Sequence, residues 1–169
     1  ESTTIFMTSG IGGCHPLGLA LAAQKRGYSV EVYMSHAKPL FLEGVRSQHK
    51  KEIMTFVHHQ FESRSRESGI PIHHAAVRVA KIEKWLLAGH AVMVLISSYR
   101  ITGDKAPHWV VVTASDELCL YVHDPDPDTD KAPFSEMDCQ HIPIAKEDFA
   151  KMTSYGSKRF SAALLLKQA

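Results

Sequence analysis

The sequence predicts an α+β fold, with helices packed on an antiparallel β-sheet. Three observations lead there. Segments with helical spacing crowd the first half of the chain, strand-like segments dominate the second half, and those strands are joined by short turns. Size and composition agree: 169 residues, 44% apolar and 22% charged, suit one compact domain over residues 1–169 with a core of its own.

Residues 1–11 (ESTTIFMTSGI) have no clear period and run into the turn Gly12-Gly13. The stretch CHPLGLALAAQKRGY then reads as a helix. Pro16 falls in a first turn that tolerates it, Leu17 and Leu21 stand four apart, and Gly27 closes it. Gly18 inside that helix lowers its propensity or marks close packing. Tyr28–Ser35 alternates Tyr28, Val30, Val32, Met34 against Ser29, Glu31, Tyr33, the period of a half-buried strand. From about His49 to Ser68, Ile53, Phe56, Val57 and Phe61 keep helical spacing, and Gly69 ends the helix. Ile70–Ala76 is a short strand, and Val79, Ile82 and Leu86 mark a further helix closed by Gly89. Ala91–Ser97 (AVMVLIS) is apolar on both faces and predicts a buried strand. After the turn Thr102-Gly103-Asp104, HWVVVTAS and LCLYVHD form a hairpin about a tight Asp116-Glu117 turn. The chain then predicts a strand near Ile142–Ile144, a helix from Lys146 to Tyr155 and a last strand Phe160–Leu166.

Composition excludes several classes of function. Nineteen basic and eighteen acidic residues leave a net charge of +1 with no basic run, which argues against a nucleic-acid partner. No apolar stretch approaches the ~18 residues of a membrane span; runs such as Ala162 to Leu166 have only strand length. Three cysteines (Cys14, Cys119, Cys139) are too few and odd in number for a disulfide framework, and point to a reducing, cytoplasmic setting. The chain opens on Glu1 without a signal peptide, as a fragment would. Nothing in it calls for a cofactor.

The most informative stretch runs from Pro107-His108-Trp109 to His123-Asp124-Pro125. A short loop at Ser115–Glu117 pairs Ala114 with Leu118, and the same register sets His108 opposite Asp124, about 4.5–5.5 Å apart at Cβ. A one-residue slip would send the two side chains to opposite faces. A carboxylate beside an imidazole fixes its tautomer and supports the imidazolium, as the third member of a catalytic triad does. The same spacing also fits a capped strand-end histidine with Asp124 merely opening an Asp-Pro turn. Trp109, on the other face, reads as core or cleft wall, and Tyr99 and Arg100 as a surface turn that could line a cleft.

A His–Asp pair asks for a nucleophile. Cys14 follows Gly12-Gly13 at the head of a predicted helix, where free amides favour the thiolate and lower the thiol pKa below its free value of ~8.5. The alternative is a Gly-Gly-Cys turn into a buried helix, with the thiol as packing. Cys119 alternates within a strand and reads as core; Cys139 lies in a polar loop. Two weaker signals are the eleven histidines and the run Asp124, Asp126, Asp128, Asp130. The adjacent pairs His58-His59 and His73-His74 point in different directions, without metal-ligand spacing, so no metal site is expected. The aspartate run resembles a calcium loop but lacks its glycine and its last glutamate, and Pro125 and Pro127 stiffen it; a solvated acidic loop is expected.

Together, GGC-HPLGLALAAQKRGYSVEV, PHWVVVT and YVHDPD resemble the bacterial peptidase-C-thirty-nine-like family, relatives of the double-glycine-leader cysteine peptidases with a papain-like fold. The resemblance runs through essentially the whole chain. It implies a papain-like fold, His108 as general base and Asp124 as its orienting partner. In that family the nucleophile lies in a Cys-Gly-Pro-type motif with a glutamine just before it. No glutamine precedes Cys14 here, and the GGC segment matches the family's second helical motif. The resemblance therefore implies a catalytic cysteine upstream of residue 1. The expected function is hydrolysis of a peptide or isopeptide bond in a peptide or protein substrate through a Cys-His-Asp triad. Its alternatives are a non-catalytic peptide-binding domain, or an amidase or acyltransferase using Cys14.

Overall fold

The computed structural model describes residues 14–103, 106–126 and 136–168. Among these, four helices, α1 (Pro16–Gln24), α2 (Gln48–Glu67), α3 (Val79–Leu87) and α4 (Lys146–Met152), flank one seven-stranded sheet. Its strands are β1 (Tyr28–Met34), β2 (Ile72–His74), β3 (Ala91–Ser97), β4 (Pro107–Ser115), β5 (Cys119–His123), β6 (Ile142–Ala145) and β7 (Ala162–Gln168). They lie in the order β2-β1-β7-β3-β4-β5-β6. The fold is α+β as expected, and the elements start and stop close to their sequence signals. Gly27, Gly69 and Gly89 end the first three helices with φ of 85°, 69° and 79°, values a side chain would resist.

Two features of the sheet depart from the purely antiparallel expectation. β2 pairs with β1 in parallel, Val32 beside Ile72, because α2 carries the chain back to its starting end before β2 begins. The last strand lies inside the sheet, antiparallel to β1 on one side and to β3 on the other. Being covered on both faces, it must be apolar at consecutive positions, which is why AALLL lacks alternation.

The sheet separates two cores. On one face Val92, Val94 and Ile96 of β3, Val110 and Val112 of β4, Leu120 and Val122 of β5 and Leu165 of β7 meet Ile82 and Trp85 of α3 and Phe149 and Met152 of α4. On the other, Val30, Val32, Leu95, Trp109 and Leu164 meet Leu17 and Ala20 of α1 and Val57 and Phe61 of α2. Gly18 permits the α1–α2 approach: a Cβ there would stand 3.2 Å from the Phe61 ring.

The α1–α2 contact also holds a polar chain. His15, the N-cap of α1, accepts the Leu17 N–H at Nδ1, so its proton sits on Nε2. That N–H donates to His58 Nδ1 at 3.0 Å, and His58 Nε2–H donates to the Ala37 carbonyl at 3.1 Å. Every ring nitrogen is satisfied only while both rings are neutral. Burial and the neighbouring His58 push the His15 pKa down to about 3, and burial lowers that of His58. His59, next along α2, is exposed, as the helical period requires.

Candidate active site

The sheet's lower-numbered end of β4 meets the end of β5 at the histidine and the aspartate singled out above. His108 pairs with Ile96, so its side chain lies on the α3–α4 face. Its Nε2 stands 2.6 Å from Asp124 Oδ1, and the two side chains are 20% and 16% exposed.

The contact arises from a register other than the expected one. Val111 stands opposite His123 and Val112 opposite Val122, which sets Asp124, one residue past His123, nearest Val110 rather than His108. The slip is by two residues, and two is the period of a strand, so both side chains remain on one face and meet diagonally. At the turn, Ala114 pairs with Tyr121 instead of Leu118, with Thr113 as an extra residue in a β-bulge. The loop is wider than the expected tight turn because Asp116 organises it. Its Oδ1 accepts the backbone N–H groups of Leu118 and Cys119, and its Oδ2 accepts the Tyr121 hydroxyl at 2.6 Å. These donors push the Asp116 pKa down to about 2.

Asp124 is held from three directions. Its backbone N–H donates to the Cys139 carbonyl, and its Oδ1 also accepts the Asp126 N–H across Pro125. The Asp-Pro turn and the partnership with His108 thus coexist. With its Oδ1 engaged in this way, Asp124 is tied to the strand end; Asp128 and Asp130 of the aspartate run, like Gly12 and Gly13, lie outside the described residues. Among the described residues no group of three or more His, Cys, Asp or Glu side chains could hold a metal ion, and no helix is long and apolar enough to cross a membrane.

Since Asp124 takes Nε2–H of His108, the nitrogen left to exchange a proton is Nδ1. The arrangement can therefore do what an oriented imidazole does: accept a proton at one nitrogen while a carboxylate at the other supports the charge.

The three cysteines stand differently from their expected positions. Cys14 precedes the N-cap His15 rather than occupying the first turn of α1, and packs against the α1–α2 core. Trp109, alternating to the face opposite His108, donates its indole N–H to the Cys14 carbonyl at 2.9 Å. Burial pushes the Cys14 thiol pKa up, opposite to the lowering expected of a helix N-terminus, because the thiol meets core instead of free amides. Cys119 is half-buried rather than core; it alternates away from Leu120 and Val122. Cys139 is the residue that sequence reasoning undervalued. It anchors the Asp124 backbone, and burial together with Asp124, Asp138 and Asp126 raises its thiol pKa. No spacing signal connects it to Asp124, because a single backbone contact between residues this far apart in the chain follows no period. Trp109 is core, and Tyr99 is exposed on a single helical turn (Tyr99–Thr102) tied to α4 by an Arg100–Asp148 ion pair of 2.9 Å.

An α+β sheet clad by helices on both faces is consistent with a peptidase-like fold. The comparison of families agrees: the chain belongs to the Peptidase_C39 like family, whose model matches residues 1–167. Comparison with curated proteins returned no match.

Proposed function

We propose that the chain is the larger part of a papain-like cysteine peptidase, of bacterial and cytoplasmic origin, that hydrolyses peptide or isopeptide bonds. His108 is its general base and Asp124 the residue that orients it. The observation that carries this reading is the 2.6 Å contact between His108 Nε2 and Asp124 Oδ1, largely shielded at a strand end. In the reaction, His108 Nδ1 takes the proton of a thiol, and the thiolate attacks the amide carbonyl carbon. The C–N bond breaks as His108 returns the proton to the leaving amine, giving an acyl-thioester. Water then attacks the thioester, losing its proton to His108, and the thiol is restored when the acid leaves.

In this reading the nucleophile is a cysteine outside these 169 residues. What supports that is the position of Cys14 against the core on the other sheet face, and of Cys139 among carboxylates that oppose its ionisation. Iodoacetamide alkylation against pH, each cysteine mapped by mass spectrometry in the parent and in His108→Ala, tests it. All three cysteines should label slowly below pH 8, with profiles unchanged in the variant. Fast labelling of Cys14 below pH 7 that slows in His108→Ala would assign the nucleophile to Cys14 and overturn this reading. If the segment preceding these residues in the natural protein carries no cysteine, a peptide-binding domain without catalysis replaces the peptidase.

A further inference from the structure

Away from the His108–Asp124 pair, the loop after β1 and the loop before β7 enclose a cavity of about 430 Å³. Its walls are aromatic. Phe41 stands edge-on to Tyr155 (5.3 Å, 90°) and to Phe160 (5.8 Å, 86°), making an apolar corner. Phe41 achieves this at a φ of 59°, and the facing loop turns through Gly156 (69°) and Arg159 (50°). A bulky residue held in the left-handed region is strained, and such strain gathers where a site must present a side chain in one direction.

The rim is charged. Glu43 accepts from Lys158 Nζ at 2.6 Å and from Ser157 Oγ at 2.7 Å, so its carboxylate bridges to the opposite loop and is engaged there. Lys38, also lining the cavity, is not held by Glu43 and leaves the rim with an excess of positive charge. An apolar corner with one cation at its edge selects a ring and a carboxylate in the same ligand.

We propose that this cavity binds an aromatic residue of a peptide, its ring against Phe41, Tyr155 and Phe160 and its carboxylate against Lys38. The word peptide rests on the function proposed above; the ring and the carboxylate do not. Strand register places the cavity at the same end of the sheet as His108. Met34 pairs with Ala162, and two strands across from β7 His108 pairs with Ile96. The cavity and His108 face opposite sides of the sheet, Phe41 and Phe160 packing with the α1–α2 core and His108 facing α3 and α4, so the cavity is a site separate from the His108–Asp124 pair.

The test is titration of the 169-residue chain with N-acetylphenylalanine, its amide and N-acetylglycine, followed by heteronuclear NMR. The expected result is a Kd on the order of 1 mM for the acid, as for a fragment of this size, with shifts at Phe41, Tyr155 and Phe160. The amide should bind at least fivefold more weakly and N-acetylglycine not measurably. Lys38→Ala should weaken the acid to the level of the amide and leave the amide unchanged, and His108→Ala should alter neither. Equal binding of acid and amide, shifts confined to other residues, or no binding at 20-fold the expected Kd (roughly 20 mM) would overturn the proposal. Because the readout is binding, loss of the peptidase reading with this binding intact, or the reverse, separates the two.

Discussion

Replacing His15 by asparagine would remove a buried titrating group while keeping an N-cap, since an asparagine carbonyl can still accept the Leu17 N–H. The folded chain holds His15 neutral, with a pKa pushed from 6.5 down to about 3, whereas the unfolded chain takes up a proton near pH 6.5. Below that pH the unfolded state binds more protons, so the contribution of His15 is fully present above about pH 6.5 and is lost as pH falls toward 3. The slope rises from about half to nearly the full ~1.4 kcal/mol per pH unit as the unfolded histidine protonates, so acidification from pH 6.5 to 5 costs roughly 1–2 kcal/mol through this residue. His58 adds a loss of the same sign; Glu62 favours its charged form, while His36 and His59 oppose it. His15→Asn should be less stable than the parent at pH 7 by about 1–2 kcal/mol, for the lost bond to His58. Its stability should then fall less steeply between pH 6 and 5, by about 1.4 kcal/mol per unit. Urea unfolding at pH 7, 6 and 5 reads both quantities. Equal slopes in parent and variant would refute the reasoning, because His15 would then not be held neutral by its surroundings.

Other expectations follow from single contacts. Asp124→Asn should release the His108 tautomer: long-range ¹H–¹⁵N spectra should show the proton on Nε2 in the parent and a mixture in the variant, and an unchanged tautomer would leave Asp124 without its orienting role. Gly18→Ala places a methyl group 3.2–3.3 Å from the tightly buried Phe61 ring, and should destabilise by about 1 kcal/mol despite alanine's better helix propensity. Adding Phe61→Leu should turn that same substitution neutral or favourable, which thermal unfolding of the parent, the two single variants and the double variant would show. Trp109→Phe leaves the Cys14 carbonyl without its donor and should cost about 1–3 kcal/mol in urea unfolding.

Local pattern was enough for most of the elements and for one half of the site. Helical and strand periods, Pro16 near a helix start and glycines at helix ends act over a few residues, so their energetics are readable in order along the chain. The His108–Asp124 partnership survived a wrong register for the same reason: strand period is two, and an even slip preserves the face. What the pattern missed was long-range. The wider Asp116 loop depends on the Tyr121 hydroxyl reaching back across the hairpin, and the bulge at Thr113 shifts the pairing beyond it. The place of β7 between β1 and β3, and the parallel pairing of β2, are choices among sheet orders that a run such as AALLL permits equally.

Chemistry depended on those choices even more than architecture. Position at the head of a helix suggested an activated Cys14, but only packing reveals that core surrounds the thiol and raises its pKa. His15 and His58, 43 residues apart, form a neutral chain that no spacing announces. Solvation and partnership set the behaviour of an ionisable group, and both are supplied by whichever distant segments the fold brings against it. Sequence names the residues capable of chemistry here; burial and contact determine which of them are free to perform it.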